Sequence, residues 1–172
     1  HFGPHAGVRQ GPDGQRFAFR ERPLRESWSL YLRTDAKALA RLLPPHFQPA
    51  GEPVVSVEWT RLSDLEWLAG RGYSMLGVRY PARFDGAQDR VQGLFLAVLW
   101  ENLADPIISG REELGYNKVF ADLPGPAVGE GGMRAQASWQ GHRFFEMQLE
   151  DLRDAGETAW TPPWGLPSVA GT

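Results

Sequence analysis

The chain carries 16 arginines but only two lysines, Lys37 and Lys118, among its 172 residues. Arginine stays protonated in proteins, so an amine that attacks a carbonyl carbon to form an imine has to come from a lysine. Lys37 lies in a segment whose pattern predicts an exposed helix, and Lys118 is therefore the candidate nucleophile. The alternative for Lys118 is a solvated or snorkelling side chain beside a strand.

Alternation of apolar and polar residues predicts the strands that position such side chains. We expect strands over 27–33, 53–60, 73–80, 91–101, 133–140 and 142–149, the fourth buried on both faces and the last two joined around Gly141. One helix is expected after Thr34 or Asp35, either of which can cap it, and a helical turn is expected over 62–68. Residues 124–132 are expected to form a surface loop. This order of elements predicts a mainly β (α+β) fold, an antiparallel sheet or barrel with minor helices.

Composition and charge bound the class of protein. The length predicts one domain over 1–172, long enough to bury a hydrophobic core. Residues 1–16 are expected to form an irregular arm, and no element is predicted in the tail from Thr161. The net charge of −3 argues against nucleic-acid binding, and no apolar run approaches the ~18 residues of a membrane span. The absence of cysteine excludes disulfides and thiolate chemistry. That absence fits the cytoplasmic location that we expect, and no secretory signal is visible. The chain begins at His1 rather than Met, which leaves open a trimmed N-terminus.

The histidines do not form a recognisable metal site. His1 and His5 lie close together in the terminal arm, but two imidazoles without a carboxylate partner bind metal poorly. His46 falls in a predicted turn and His142 lies beside a predicted strand, where both are expected to be structural or exposed. The sequence therefore predicts no metal.

Several short motifs follow one another in the order, and with nearly the spacing, of a known family. They are Arg25-Glu26, Arg33-Thr34-Asp35, Ala38-Leu39, Leu43-Pro44, Glu52-Pro53-Val54 leading to Glu58, Gly110-Arg111-Glu112 and Gly115-Tyr116-Asn117-Lys118. The last two resemble the most diagnostic segment of acetoacetate decarboxylase and its relatives, a Gly-Arg-Glu followed by Tyr-Pro-Lys-Lys. The resemblance runs from about Arg25 to Leu123 and identifies the chain as a divergent member of that superfamily.

The resemblance implies antiparallel sheets that form a barrel-like cone around an interior pocket. It also implies an imine between a small keto acid and the active lysine, which Lys118 matches, without a metal or organic cofactor. Arg25 matches an arginine suited to a substrate carboxylate, and Glu58 matches an acidic residue that can move protons. Tyr116 is expected either to pack in its loop or to contribute a hydroxyl to the pocket. Homo-oligomers are common in the family.

The residues alone leave other readings open. Arg25 can pair at the surface with Glu21 or Glu26, and such exposed pairs contribute little to stability. Glu58 can lie on the solvated face of a half-buried strand. Arg111 and its neighbour Glu112 are expected to fix the loop before the lysine strand rather than to touch substrate.

Two positions depart from the family. Val119 replaces the second lysine of its pair, so the neighbouring cation that can activate such a lysine, as in acetoacetate decarboxylase, is lost and only desolvation remains. Adjacent strand residues point to opposite faces, which predicts that Val119 is a core residue on the far side and that Lys118 shares its face with Tyr116 and Phe120. Met75 stands at or beside the position expected for the pocket glutamate, so no carboxylate is expected there.

The leading hypothesis is a Schiff-base-forming lyase of decarboxylase or aldolase-dehydratase type, with Lys118 as nucleophile, Glu58 as proton-transfer group, and Arg25, Tyr116 and Met75 around the substrate. A second hypothesis is a non-catalytic small-molecule-binding barrel of the same fold. Met75 favours it, as does the absence of a match to the family's final strands after Leu123. A third is a subunit that acts only when paired with another chain. A buried Lys118 amine that faces a pocket together with Arg25 supports the enzyme, and an exposed amine supports the binding protein.

Overall fold

The fold is known from a computed structural model, which describes residues 24–68 and 70–153. The elements are, in chain order, β1 (Leu24–Arg33), α1 (Ala36–Leu42), β2 (Phe47–Pro49), β3 (Val54–Leu65), a short 3-10 helix (Glu66–Leu68), β4 (Arg71–Asp85), β5 (Arg90–Glu101), α2 (Ala104–Glu112), β6 (Lys118–Phe120), β7 (Ala127–Gly129), β8 (Gly132–Trp139) and β9 (His142–Leu149). The prediction of a mainly β chain with minor helices is confirmed. The predicted arm with His1 and His5, and the tail from Thr161, lie outside the described residues.

The larger of two sheets has the strand order β1-β3-β4-β5-β6, and β2 pairs with β4 beside this path. Its neighbouring strands are antiparallel except for β5 and β6, which are parallel. A parallel pair cannot be joined by a tight turn and needs a crossover. Helix α2 lies in that crossover, so it is placed beside the first residue of β6, Lys118.

The smaller sheet has the order β7-β8-β9 and covers one face of the larger one. Strands β8 and β9 form a hairpin whose turn residues Gln140 and Gly141 have φ of 46° and 80°, as the tight turn predicted around Gly141 requires. The larger sheet contributes Trp59 and Leu76 to the shared core. The rest of that core comes from Ala121, Leu123, Met133, Ala135, Ala137 and Met147.

Helix α1 starts where the sequence indicates. The side chain of Asp35 accepts a hydrogen bond from the Ala38 N–H at 2.8 Å, which is the expected N-cap. Within the helix, Leu39 is the buried residue. The helix ends before Pro44-Pro45 because proline cannot continue the hydrogen-bond pattern.

Three local predictions are wrong in whole or in part, and one helix was not expected. Residues 62–65 continue β3, and only Glu66–Leu68 are helical. Strand β5 is not buried on both faces, because its first half extends past the smaller sheet and leaves Val91 60% exposed. The predicted loop over 124–132 contains β7. Helix α2 was not expected, since its apolar residues form no continuous stripe and it contains both Pro106 and Gly110.

The two sheets do not form a closed barrel within the described part of the chain, so the cone is not confirmed. Neither helix of the described ranges is long and apolar enough to cross a membrane.

Candidate active site

The face of the larger sheet that points away from the core is polar and carries the predicted site residues. Residues paired across neighbouring strands point to the same side of a sheet. One such row, from β1 to β6, is Ser29, Glu58, Gly77, Leu99 and Lys118. The next row on the same face is Ser27, Thr60, Met75, Glu101 and Phe120.

Lys118 is buried, with 8% of its surface exposed. Its amine nitrogen Nζ lies 2.9 Å from Oε1 of Glu101 and donates a hydrogen bond to the carbonyl oxygen of Pro106, also at 2.9 Å. The ring of Tyr116 lies 5.6 Å from Nζ, centroid to nitrogen, and supplies a third, weaker contact with a cation. The alternative of a solvated or snorkelling Lys118 is therefore wrong, because the side chain is buried and its amine contacts Glu101, Pro106 and the Tyr116 ring.

Helix α2 leaves room for this lysine at Gly110. A Cβ atom at Gly110 would overlap the Cδ, Cε and Nζ atoms of Lys118, so any larger residue there would displace the lysine side chain. Pro106, one turn earlier, is tolerated because it lies in the first turn of α2. Helix α2 thus shapes the channel in which the amine lies.

The segment between α2 and β6 is held by specific hydrogen bonds. Gly115 adopts a φ of 69°, which glycine tolerates without strain, and the Tyr116 N–H then reaches the carbonyl of Gly110 at 2.9 Å. Arg111 donates from Nη1 to the carbonyl of Lys118 at 2.8 Å, in agreement with its expected structural role. The side chain of Asn117, where the family motif has proline, donates to the carbonyl of Ala97 on β5. These bonds fix the backbone from which Lys118 projects.

Glu101 is the functional candidate that sequence reasoning missed. It is fully buried at the end of β5, and burial raises its pKa even though the ion pair with Lys118 acts in the opposite direction. Burial of Tyr73 and, as the lesser cause, the charge of Glu101 raise the pKa of the Tyr73 hydroxyl, which keeps it protonated. The available signal was a lone carboxylate that ends a long apolar strand, two residues from Leu99 and therefore on its face.

Met75 is the Cα partner of Glu101 in the pairing of β4 with β5. The sequence predicted that the pocket lacks a carboxylate at Met75, and this position indeed carries none. A carboxylate is present one strand away, at Glu101. The register across two strands, which a single sequence does not reveal, places it there.

A second polar cluster surrounds Glu58, which is half-buried rather than solvated. Arg25 donates from Nη2 to Oε1 of Glu58 at 3.1 Å, and Nη1 of Arg79 lies 3.4 Å from the same oxygen. The hydroxyl of Thr60 donates to Oε1 at 3.0 Å, and that of Ser29 donates to Oε2 at 3.4 Å. Arg25 therefore makes a cross-strand pair with Glu58, and its side chain is 59% exposed. Glu21, one of the two surface partners considered for it, lies outside the described residues.

The structure therefore joins the predicted residues in two groups. Lys118 contacts Tyr116, and Arg25 contacts Glu58. Three strand spacings, about 14 Å along a flat sheet, separate Glu58 from Lys118 in their shared row. Arg79, which was not predicted, lies between the groups. Its guanidinium carbon would be 3.6 Å from a Cβ on Gly77, so it lies over the position that Gly77 leaves empty.

Val119 is not the core residue that was predicted. It points away from Lys118, as alternation requires, but it remains 38% exposed. Strand β6 has only three residues and is the last strand of its sheet, so one side of Val119 has no neighbouring strand. Phe120, on the face of Lys118, is 48% exposed.

Lys118 does not border either of two open grooves on the described surface. A groove of ≈ 610 Å³ is lined by Arg83, Asp85, Gly86, Arg90, Val91 and Gln92 at the turn between β4 and β5. A second, of ≈ 270 Å³, lies along β8 and β9. Among the described residues, no cluster of three or more His, Asp or Glu side chains could hold a metal.

Replacing Gly110 by alanine should slow imine formation at Lys118 at least about tenfold, because the new methyl group forces the amine out of its channel. The helix itself should tolerate alanine well. The measurement is the rate at which borohydride traps a keto acid on Lys118, with melting temperature as the folding control. Gly93→Ala is the matched variant, because a Cβ there meets nothing within 4 Å. Equal rates for the two variants would show that Gly110 does not position the amine.

Comparison with known proteins shows which family this chain is similar to. A family model described as acetoacetate decarboxylase (ADC) matches residues 8–163. Acetoacetate decarboxylase of Clostridium botulinum (strain Eklund 17B / Type B) is 26% identical over 139 residues, which cover 76% of this chain and 54% of the relative. The chain spans about half the length of the relatives that it matches.

Two solved structures share the fold. The enduracididine biosynthesis enzyme MppR, complexed with the condensation product of pyruvate and imidazole 4-carboxaldehyde, superposes with a TM-score of 0.59 at 18% identity, over 73% of this chain and 53% of its own. Acetoacetate decarboxylase from Legionella pneumophila subsp. pneumophila str. Philadelphia 1 gives a TM-score of 0.59 at 24% identity, over 73% and 47%.

Proposed function

This chain belongs to the acetoacetate decarboxylase family, and on that premise we propose that it is a Schiff-base-forming lyase that acts on a small keto acid through Lys118. The observation that carries the proposal is the buried Lys118 amine, held 2.9 Å from the carboxylate of Glu101 on a polar sheet face. A lysine with no catalytic role rarely has its ammonium group desolvated, because burying a charge is costly.

The chemistry starts with addition of the neutral Lys118 amine to the keto carbon. Loss of water then gives an iminium ion, whose positive nitrogen accepts an electron pair from the neighbouring carbon. In the decarboxylase branch that pair comes from the bond to the carboxylate, and carbon dioxide leaves. In the aldolase-dehydratase branch it comes from a C–H bond, and the enamine adds to an aldehyde. Both branches need the same lysine and no metal or organic cofactor.

The remaining roles follow from the polar face. Arg25 is proposed to bind the substrate carboxylate, since a guanidinium can hold it through two parallel hydrogen bonds. Glu58 is proposed to transfer a proton to the substrate, and Tyr116 and Met75 are proposed to line the pocket. Arg79 is a second candidate for the carboxylate, because its guanidinium lies over Gly77 and nearer to the strand of Lys118.

Each branch has a relative that motivates it. The Clostridium botulinum relative is named an acetoacetate decarboxylase, and MppR is described in complex with a condensation product of pyruvate. The loss of a carboxylate at Met75 removes the group expected for decarboxylation and so favours the aldol branch for this chain.

We propose that the whole chain is one domain, which the match over residues 8–163 supports. The described strands do not close into a barrel around the polar face of the larger sheet. The family's cone, which would enclose this face as an interior pocket, is proposed to be completed by a further segment or by a second copy in a homo-oligomer.

Replacing Arg79 by alanine should raise the keto-acid concentration for half-maximal rate about 10- to 100-fold, because one charge-assisted hydrogen bond is lost. Arg25→Ala should have a smaller effect, since its side chain is twice as exposed, at 59% against 28%. Steady-state kinetics with acetoacetate and with pyruvate measures both. Arg83→Ala, which alters an exposed pair with Asp85, is the control. Unchanged half-saturation in all three variants would remove the carboxylate role from this cluster.

Product analysis tests the proposed activity. The protein is incubated with acetoacetate, and separately with pyruvate and an aldehyde, and carbon dioxide and condensation products are measured. Either product supports the lyase and chooses the branch. The alternative, a non-catalytic small-molecule-binding barrel, predicts keto-acid binding in calorimetry with neither product formed.

A further inference from the structure

We propose that Glu101 is the group that exchanges protons with the Lys118 amine during imine formation. This inference rests on the proposed function, since it names the acid–base of the same site. Lys118 must lose a proton before it can attack, and the structure places one carboxylate against it.

The geometry of the pair carries the proposal. Oε1 of Glu101 lies 2.9 Å from Nζ of Lys118, and the two side chains are 0% and 9% exposed. Despite this close approach, neither carboxylate oxygen has a well-directed hydrogen bond from any described residue. A purely structural ion pair in a dry site is usually supported by further donors. The described residues give Glu101 no such donors, so Oε2 has no fixed partner among them.

Burial also favours proton exchange within the pair. A desolvated carboxylate and ammonium can become a carboxylic acid and an amine without any change in net charge, and low polarity reduces the energy difference between these two states. The raised pKa of Glu101 agrees with this tendency. The neutral state of the pair contains the nucleophile.

Each step of the sequence balances. Oε1 of Glu101 takes one proton from Nζ, the free electron pair of Nζ forms a bond to the keto carbon, and the carbonyl π electrons move to its oxygen. Formation of the C–N bond leaves a positive charge on nitrogen and a negative charge on oxygen. One proton then moves from the nitrogen to the oxygen, which gives the neutral carbinolamine. The acid form of Glu101 then protonates this hydroxyl, which leaves as water while the nitrogen electron pair forms the iminium. Glu101 ends as a carboxylate beside the cation.

Glu58 cannot take this part, because the two carboxylates have different surroundings. Glu58 accepts hydrogen bonds from the hydroxyls of Thr60 and Ser29 and from Arg25, it forms an ion pair with Arg79, and it lies three strands from Lys118. Carboxylates with opposed environments commonly have separate roles. Glu101 therefore acts at nitrogen, and any role of Glu58 concerns the rest of the substrate.

The test is the rate of borohydride trapping at Lys118 in Glu101→Gln, with the keto acid that the unsubstituted protein traps better. We expect at least about a 100-fold loss, the usual contribution of a general acid–base. Glu101→Ala should be equally slow and should recover in part with added formate, which a structural role would not produce. Glu146→Gln, a carboxylate paired with arginines on the smaller sheet, should trap at the full rate.

The outcomes separate this inference from the proposed function. If the unsubstituted protein traps no keto acid on Lys118, the proposed function fails and the role of Glu101 fails with it. If it traps one and Glu101→Gln traps it equally fast, only the role of Glu101 is overturned. If the variants do not fold, infrared difference spectra of the unsubstituted protein decide the question. A protonated-carboxyl band that changes on imine formation and shifts in D₂O supports the proposal, and its absence contradicts it.

Discussion

Replacing Lys118 by alanine should abolish keto-acid trapping and reduce turnover by at least about 10⁴-fold, the scale of loss when a covalent nucleophile is removed. No other lysine can take its place, since the second one, Lys37, lies on the exposed helix α1. Lys37→Ala should therefore keep both trapping and turnover. Product formation and adduct yield are measured side by side on proteins of matched melting temperature.

A third variant separates chemistry from folding. Lys118→Arg keeps a cation beside Glu101 but cannot supply a neutral amine, so it should be folded and inactive. Equal activity of the Lys118 and Lys37 variants would contradict the mechanism. Activity in Lys118→Arg would show that position 118 contributes only charge.

The second large effect concerns stability. Lys118→Met leaves Glu101 buried without its cation, and breaking a buried pair in this way costs about 3–5 kcal/mol at neutral pH. The loss should be smaller in acid, because Glu101 can then enter the core as the uncharged acid. Urea unfolding near pH 5 and near pH 8 measures the free energy of unfolding in both conditions.

The sign of this pH dependence follows from the direction of the pKa shift. The pKa of Glu101 is raised in the folded protein from its ordinary value of 4.5, so between those two values the folded state binds more protons than the unfolded state. Its contribution to stability is therefore greatest below 4.5, falls as pH rises through this window, and is level above it. Removing Lys118 also removes the interaction that lowers the pKa of Glu101. The pH range over which stability falls then extends to higher pH, and the total change in the free energy of unfolding across it is larger.

The double variant Lys118→Met with Glu101→Leu is the matched control. It replaces both charges by apolar groups of similar size, a change that is often neutral or stabilising. The double variant should recover most of the lost stability and should lose the extra pH dependence. A single variant Lys118→Met as stable as the unsubstituted protein at both pH values would show that the pair is not desolvated.

The sequence predicts the strands well because alternation is a local signal. It predicts β1, the core of β3, and the β8–β9 hairpin, and it places the α1 cap at Thr34 or Asp35, of which Asp35 is used. Helix α2 is not predicted because its buried residues are a proline and a glycine, Pro106 and Gly110, and do not form an apolar stripe. Val119 was misplaced because alternation gives the side to which a residue points and not what covers that side.

The candidate site is only partly visible in the sequence. Lys118 follows from residue type and motif, and its burial is a finding of the structure. Glu101 lies 17 positions earlier, and Arg79 lies farther still, so only strand pairing reveals that both face the same side as Lys118. Met75 pairs with Glu101 across strands β4 and β5. The sheet face that lacks the expected carboxylate at Met75 therefore has another one at Glu101, next to the Lys118 amine.

The most direct measurement is borohydride reduction in the presence of pyruvate and, separately, of acetoacetate, followed by peptide mass mapping. The proposed mechanism predicts a reduced adduct on the peptide that contains Lys118 and none on the peptide that contains Lys37. The keto acid that traps faster identifies the branch. A folded protein that yields no adduct on Lys118 with either keto acid would contradict imine catalysis and leave the binding-protein alternative.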